Sequence, residues 1–121
     1  MKGQESMRER LKNLRVMEAR EMYLQAQLEQ LPTIHPKRTV ILAQIEADRK
    51  ERDAVYKWIE SIPNDKTANI FALRYVKNAR WQEIADIIGG SVTGVKKRVF
   101  RFLAATEKQE RESESGKESA E

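Results

Sequence analysis

At 121 residues, 40% hydrophobic and 35% charged, the chain is too apolar for full disorder and has room for one domain plus an appendage, not for a second full-sized domain. It has no cysteine and a single histidine, its first residues are charged, and no apolar run approaches the roughly 18 residues of a membrane span, so disulfides, metal clusters, cofactors and membrane insertion are not expected and a soluble cytoplasmic protein is. The net charge of +4 hides an asymmetry: residues 1–106 carry 20 basic against 13 acidic side chains, and residues 107–121 carry 3 against 6, so a body of +7 that attracts polyanions such as nucleic acid precedes a tail of −3.

Residues 5–31 read as a long helix, because Leu11, Leu14, Met17, Leu24, Leu28 and Leu31 recur at spacings of three, four or seven, with Glu21 interrupting the stripe. Pro32 and Pro36 end it, since each lacks a backbone donor and biases its predecessor to extended geometry. His35, between the two prolines, reads as a helix-start residue. A second helix is expected from Pro36 or Lys37 to about Ser61, with Ile41, Ile45, Val55, Ile59 and Ile62 on a heptad register whose central places hold Asp48 and Arg52. Residues 5–62 therefore read as an antiparallel helical hairpin of coiled-coil character. Two such helices leave an apolar stripe uncovered, to be covered by the C-terminal domain, a second copy of the chain or both; a second copy is favoured, giving a homodimer in which Asp48 and Arg52 set the register or mark a solvated gap.

Pro63 to Asp65 marks a boundary, Pro63 suiting a first helical turn and Asp65 the positive end of the helix dipole. A third helix should run to about Val76, burying Ile70 and Leu73, with Phe71 and Val76 as further candidates for its buried face. Lys77 to Arg80 is a polar break. Trp81 to Ile88 forms a short helix with Trp81, Ile84, Ala85 and Ile88 on one side, and Gly89-Gly90 ends it, because glycine takes the left-handed cap conformation. Ser91 is placed as the N-cap of a last helix from Val92 to about Lys108, with Val95, Val99, Phe102 and Leu103 as its core stripe. Residues 107–121 lack periodicity and read as an acidic, flexible tail. The class is all-α, with a three-helix, helix-turn-helix domain over residues 63–106.

Three short helices with a glycine-containing turn before the last are the outline of a helix-turn-helix. The last helix carries Lys96, Lys97, Arg98 and Arg101, and residues 91–106 contain no Asp or Glu. Its first turn is small (Ser91, Thr93, Gly94), which lets the backbone approach a groove, and a helix N-terminus offers free N–H groups to a phosphate. Trp81 and Tyr75 are at helical spacing and read as core rather than as stacking platforms.

Leu73-Arg-Tyr75-Val, Trp81-Gln-Glu-Ile84-Ala85-Asp-Ile-Ile88-Gly and Ser91-Val-Thr-Gly-Val95-Lys-Lys-Arg98-Val-Phe-Arg101-Phe-Leu103 together resemble the fourth conserved region of bacterial sigma factors. They resemble in particular the phage-encoded, sigma-like transcriptional regulators in which an N-terminal helical hairpin precedes that module. The resemblance covers residues 63–106. It implies that Val92, Thr93, Lys96 and Lys97 face the major groove of double-stranded DNA beside the capping Ser91, that Arg98 and Arg101 meet phosphates, and that Ile84, Ala85, Val95, Val99 and Leu103 hold the two helices together. Val92 and Gly94 stand where such modules often have longer polar side chains, which limits base readout; Lys96 and Lys97 specify less than a bidentate arginine. Nothing resembles the sigma region that melts promoters, so a complete sigma factor is not expected.

An enzyme is the weakest class, because no nucleophile–base pair, phosphate-cradling glycine loop or metal-spaced carboxylate set is present. Three binding roles remain open. They are a sequence-preferring transcriptional regulator, with or without contact to RNA polymerase; a phage terminase small subunit that recognises DNA for packaging; and an adaptor that binds RNA polymerase instead of DNA.

Overall fold

The computed structural model describes residues 5–119, with side chains to residue 112, and among these residues the secondary structure is entirely helical. The order is α1 (Met7–Gln30), α2 (Lys37–Glu60), α3 (Asp65–Phe71) continued by a π-helical turn (Ala72–Val76), α4 (Trp81–Ile88) and α5 (Val92–Ser119).

Helix α1 begins where Ser6 accepts a hydrogen bond from the Glu9 amide at 3.2 Å, satisfying one of the donors a helix start leaves free. It stops at Leu31, extended before Pro32. The reversal is tied at both ends. The Lys37 amide donates to His35 Nδ1 at 3.1 Å, the helix-start role read for this residue, and the Arg38 guanidinium donates to the Leu28 carbonyl at 2.8 Å at the open end of α1. Descending α1 from Leu28 through Arg20 to Arg10, the polar partners on α2 climb from Arg38 through Asp48 to Glu51, so the two helices run in opposite directions.

The core does not respect the boundary expected at residues 62 and 63. Leu11, Leu14 and Met17 of α1 and Val55, Ile59 and Ile62 at the end of α2 share one buried cluster with Ile70, Phe71, Ile84, Ala85, Val95, Val99 and Leu103. The apolar stripe that called for a second copy is therefore covered, along this half of α1 and α2, by the chain's own later helices. Phe71 is fully buried at the centre, with the rings of Trp58, Phe102 and Tyr75 at 5.7, 5.6 and 5.8 Å. Burial of such a side chain contributes about 3 kcal/mol. Burial also raises the pKa of the Tyr75 phenol, against the opposing pull of Arg74 and Arg8.

Beyond this cluster lies a second, smaller one of Leu28, Ile41 and Ile45, with Leu24 and Leu31 packed against it. A charged layer separates the two. Arg20 binds both oxygens of the buried Asp48 at 2.7 and 2.9 Å, Gln44 adds a bond to Asp48 at 3.0 Å, and Glu21 is held by Arg49 and Arg52. Asp48 and Arg52 thus fix the register of α2 against α1 within one chain, where contact between copies was expected. Glu21, read as a break in the stripe, is their counterpart: a burying position occupied by an acid on one helix is answered by arginines on the other. The paired guanidinium groups hold Glu21 at a pKa of about 2, Arg49 being the largest cause, and Arg20 holds Asp48 below its usual value.

The later elements follow the sequence with two differences. Asn64, not Pro63, opens α3: its side chain accepts from the Thr67 amide at 2.9 Å, and Asp65 lies in the first turn. The expected single third helix widens after Phe71, where the Lys77 amide reaches back five residues to the Ala72 carbonyl at 3.0 Å. Helix α5 also passes the expected end near Lys108 and continues to Ser119. Residues 107–112 (Glu-Lys-Gln-Glu-Arg-Glu) are good helix formers, and adding them to a helix already nucleated in the core costs little, so no apolar periodicity is needed. Of the tail read as flexible, residues 120 and 121 lie outside the described residues.

Candidate nucleic-acid interface

Gly89 takes φ 87, the left-handed conformation that lets α4 stop and the chain turn directly into α5. Ser91 then accepts from the Gly94 amide at 3.0 Å. Its hydroxyl is committed to capping its own helix, while the residue itself is exposed. Val95, Val99 and Leu103 are buried against Ile84 and Ala85 of α4 and Ile70 and Phe71 of α3, which fixes the rotation of α5 about its axis.

That rotation sorts the remaining residues by their 100° steps. Thr93, Lys97 and Arg101 form the outward line, all exposed. Lys96 lies on the flank towards α4, its ammonium 5.9 Å from the centre of the Trp81 ring. Arg98 lies on the opposite flank, where its guanidinium donates to the Thr67 hydroxyl at 3.1 Å. Val92 departs from the expected groove-facing position: it is half-buried and packs on the core, because it falls one turn before Val95 and Val99 on the apolar stripe.

Thr67 is the residue that sequence reading missed. It is buried on α3, donates to Asn64 at 3.2 Å and accepts from Arg98, so a neutral oxygen holds the guanidinium in place without cancelling its charge. Thr67, Gly94, Lys97, Arg98, Arg101 and Phe102 line an open cleft between α3 and α5. Three cations from α5 and no carboxylate line this open cleft, which suits an anion such as a phosphate.

Trp81 packs as expected rather than standing free. Phe100 meets its ring edge-on at 6.1 Å, and Arg74 from the π-helical turn lies over it at 4.4 Å. Phe100 itself is 43% exposed beside Lys96 and has Arg8 of α1 at 5.8 Å.

Among the described residues, Arg10, Arg20, Arg49, Lys50, Arg52, Lys57 and Arg80 each have a carboxylate within 4 Å, as does Arg8, whereas Lys96, Lys97, Arg98 and Arg101 have none. No metal-binding group of His, Asp or Glu occurs among the described residues, and no helix among them is long and apolar enough to cross a membrane. Neither protein-family models, nor curated proteins, nor solved structures provide a match to this chain.

Proposed function

We propose that the chain is a double-stranded DNA-binding transcriptional regulator of the sigma-like kind, in which α4 and α5 are a helix-turn-helix and α5 enters the major groove. The observation that carries this reading is the unpaired charge on α5. Eight other cations among the described residues take carboxylates, whereas four without one stand together on α5, a helix whose first sixteen residues from Ser91 contain no acid. Thr93, Lys97 and Arg101 face the groove, and Lys96 and Arg98 lie to either side. Basic side chains outnumber base-reading ones, so phosphate contacts dominate affinity and sequence preference is modest.

α1 and α2 are the hairpin of this reading. Its outer half exposes Met22, Tyr23, Val40 and Leu42, the surface left for a second copy now that the inner half is covered.

Titration of a labelled mixed-sequence duplex with the full chain at increasing salt tests the main claim. Lys97→Ala with Arg101→Ala should lower the salt slope by about 1.8, at about 0.9 per phosphate contact. An unchanged slope rejects the assignment of α5. A mass of two chains by light scattering accords with a regulator, whereas eight or more chains would favour the packaging role. Absence of duplex binding would leave the polymerase adaptor.

A further inference from the structure

On its α4 side, α5 is linked by an unbroken series of contacts to the base of α1. Lys96 and Arg74 share the Trp81 ring, Arg74 donates to the Ala79 carbonyl at 3.0 Å, and Arg15 of α1 donates to Asn78 Oδ1 at 2.8 Å. The turn from Lys77 to Arg80 is thereby fixed from two sides. It also has uncommon backbone geometry: Asn78 takes φ 61, and the π-helical turn directly precedes Lys77. Both features concentrate at functional sites.

Around this turn the charge is one-sided. Arg8, Lys12 and Arg15 recur at spacings of four and three and share a side of α1. Arg8 is committed to Glu107 and Arg80 to Glu83. Lys12, Arg15 and Lys77 have no carboxylate within ion-pair distance among the described residues; Lys12 and Lys77 are exposed, and Arg15 is held only by a neutral amide. Arg10 and Arg20, on other sides of the same helix, both take carboxylates. Cations gathered without counter-charge repel one another in the free protein, and a polyanion relieves that repulsion.

A helix in the major groove has a sugar-phosphate strand on each side of it, across a groove about 12 Å wide. Arg98 and the Thr67 cleft serve one side of α5. The other side is the one that leads to Trp81, the 77–80 turn and α1. We propose that Lys12 and Arg15 of α1, with Lys77, form a second phosphate-binding strip that takes the backbone strand on the α4 side of the groove. This rests on the assignment of α5 to duplex DNA, and it makes the first helix a direct DNA contact in addition to any role in assembly.

The test uses the full chain and a labelled mixed-sequence duplex, with affinity measured across a salt series. Lys12→Gln with Lys77→Gln should lower the salt slope by about 1.8, and adding Arg15→Gln should bring the loss to about 2.7. Arg15→Lys, which keeps the charge and loses the planar bond to Asn78, should retain the slope. The lysine variants remove no contact within the fold and relieve repulsion, so their melting temperatures should equal or slightly exceed the parent's and a fall in slope is electrostatic. If the triple variant keeps the parent slope while Lys97→Ala with Arg101→Ala lowers it, the strip is rejected and α5 stands. If the strip variants lower the slope and the α5 pair does not, the α5 assignment fails, and with it the placement of the strip beside α5. If the parent chain binds no duplex, both fall.

Discussion

Two groups of arginines do opposite things in this molecule. Between α1 and α2, Arg20, Arg49 and Arg52 meet Asp48 and Glu21 in a layer where Asp48 is buried and Arg52 is 14% exposed. On α5, Arg98 and Arg101 meet no carboxylate among the described residues, and Arg98 is positioned by the one hydrogen bond it donates to a hydroxyl. The first arrangement spends charge on register: a slip of α2 along α1 would part Asp48 from Arg20 and Glu21 from Arg49 and Arg52. The second leaves its charge unpaired at the surface. A count of basic residues cannot separate the two, since both groups contribute equally to the net charge.

Substitutions should separate them. The largest effect is expected for Glu21→Ala, which leaves Arg52 partly buried without its acid; unfolding in denaturant should show a loss of about 3 kcal/mol, with the salt slope of duplex binding unchanged. Acid should do the same more gradually. Glu21 has a pKa of about 2 in the folded chain against an ordinary 4.5, so its contribution is complete above about pH 4.5 and is lost as pH falls towards 2. Glu21→Gln should flatten the part of the melting-temperature profile that lies in this window, and a profile identical to the parent would show that the layer does not support the fold.

The α5 pair should give the reverse signature. Lys97→Ala with Arg101→Ala removes exposed side chains, so stability should stay within about 0.5 kcal/mol while duplex affinity and its salt slope fall. A matching loss of stability would mean that these cations serve the fold after all. The smallest expected effect is that of Thr67→Val, which removes the hydroxyl but keeps the amide bond to Asn64. It should cost about 1 kcal/mol in unfolding and weaken duplex binding less than Arg98→Ala does, because the guanidinium keeps its charge and loses only its fixed position.

Much of the fold could be read from local signals. Pro32, Pro36 and Gly89 end or begin elements where side-chain and backbone chemistry requires it, and Ser91 caps α5 in the expected place. What escaped depends on register or on distance along the chain. The bond between Thr67 and Arg98 joins residues 31 apart, and Glu21 finds its arginines only after α1 and α2 have chosen an alignment. The resemblance assigns Val92 to the groove, although its spacing of three and seven from Val95 and Val99 already places it on the apolar stripe. The π-helical turn has no periodic signature, as it inserts one residue without altering the apolar pattern on either side. The shared core was hidden for another reason: the stripe on α1 and α2 announces that it needs covering and says nothing about by what.

The charged layer also divides the molecule into two tiers of cooperativity. Leu28, Ile41 and Ile45 form a cluster of three buried residues, much smaller than the main core and separated from it by the charged layer. The reversal around residues 31–36 can therefore open while Phe71 and its neighbours stay packed. In native-state hydrogen exchange, amides near the tips of α1 and α2 would be released through this local opening, ahead of those around Leu14, Val55 and Val99. The far end of the pair is then a compliant element attached to a rigid base.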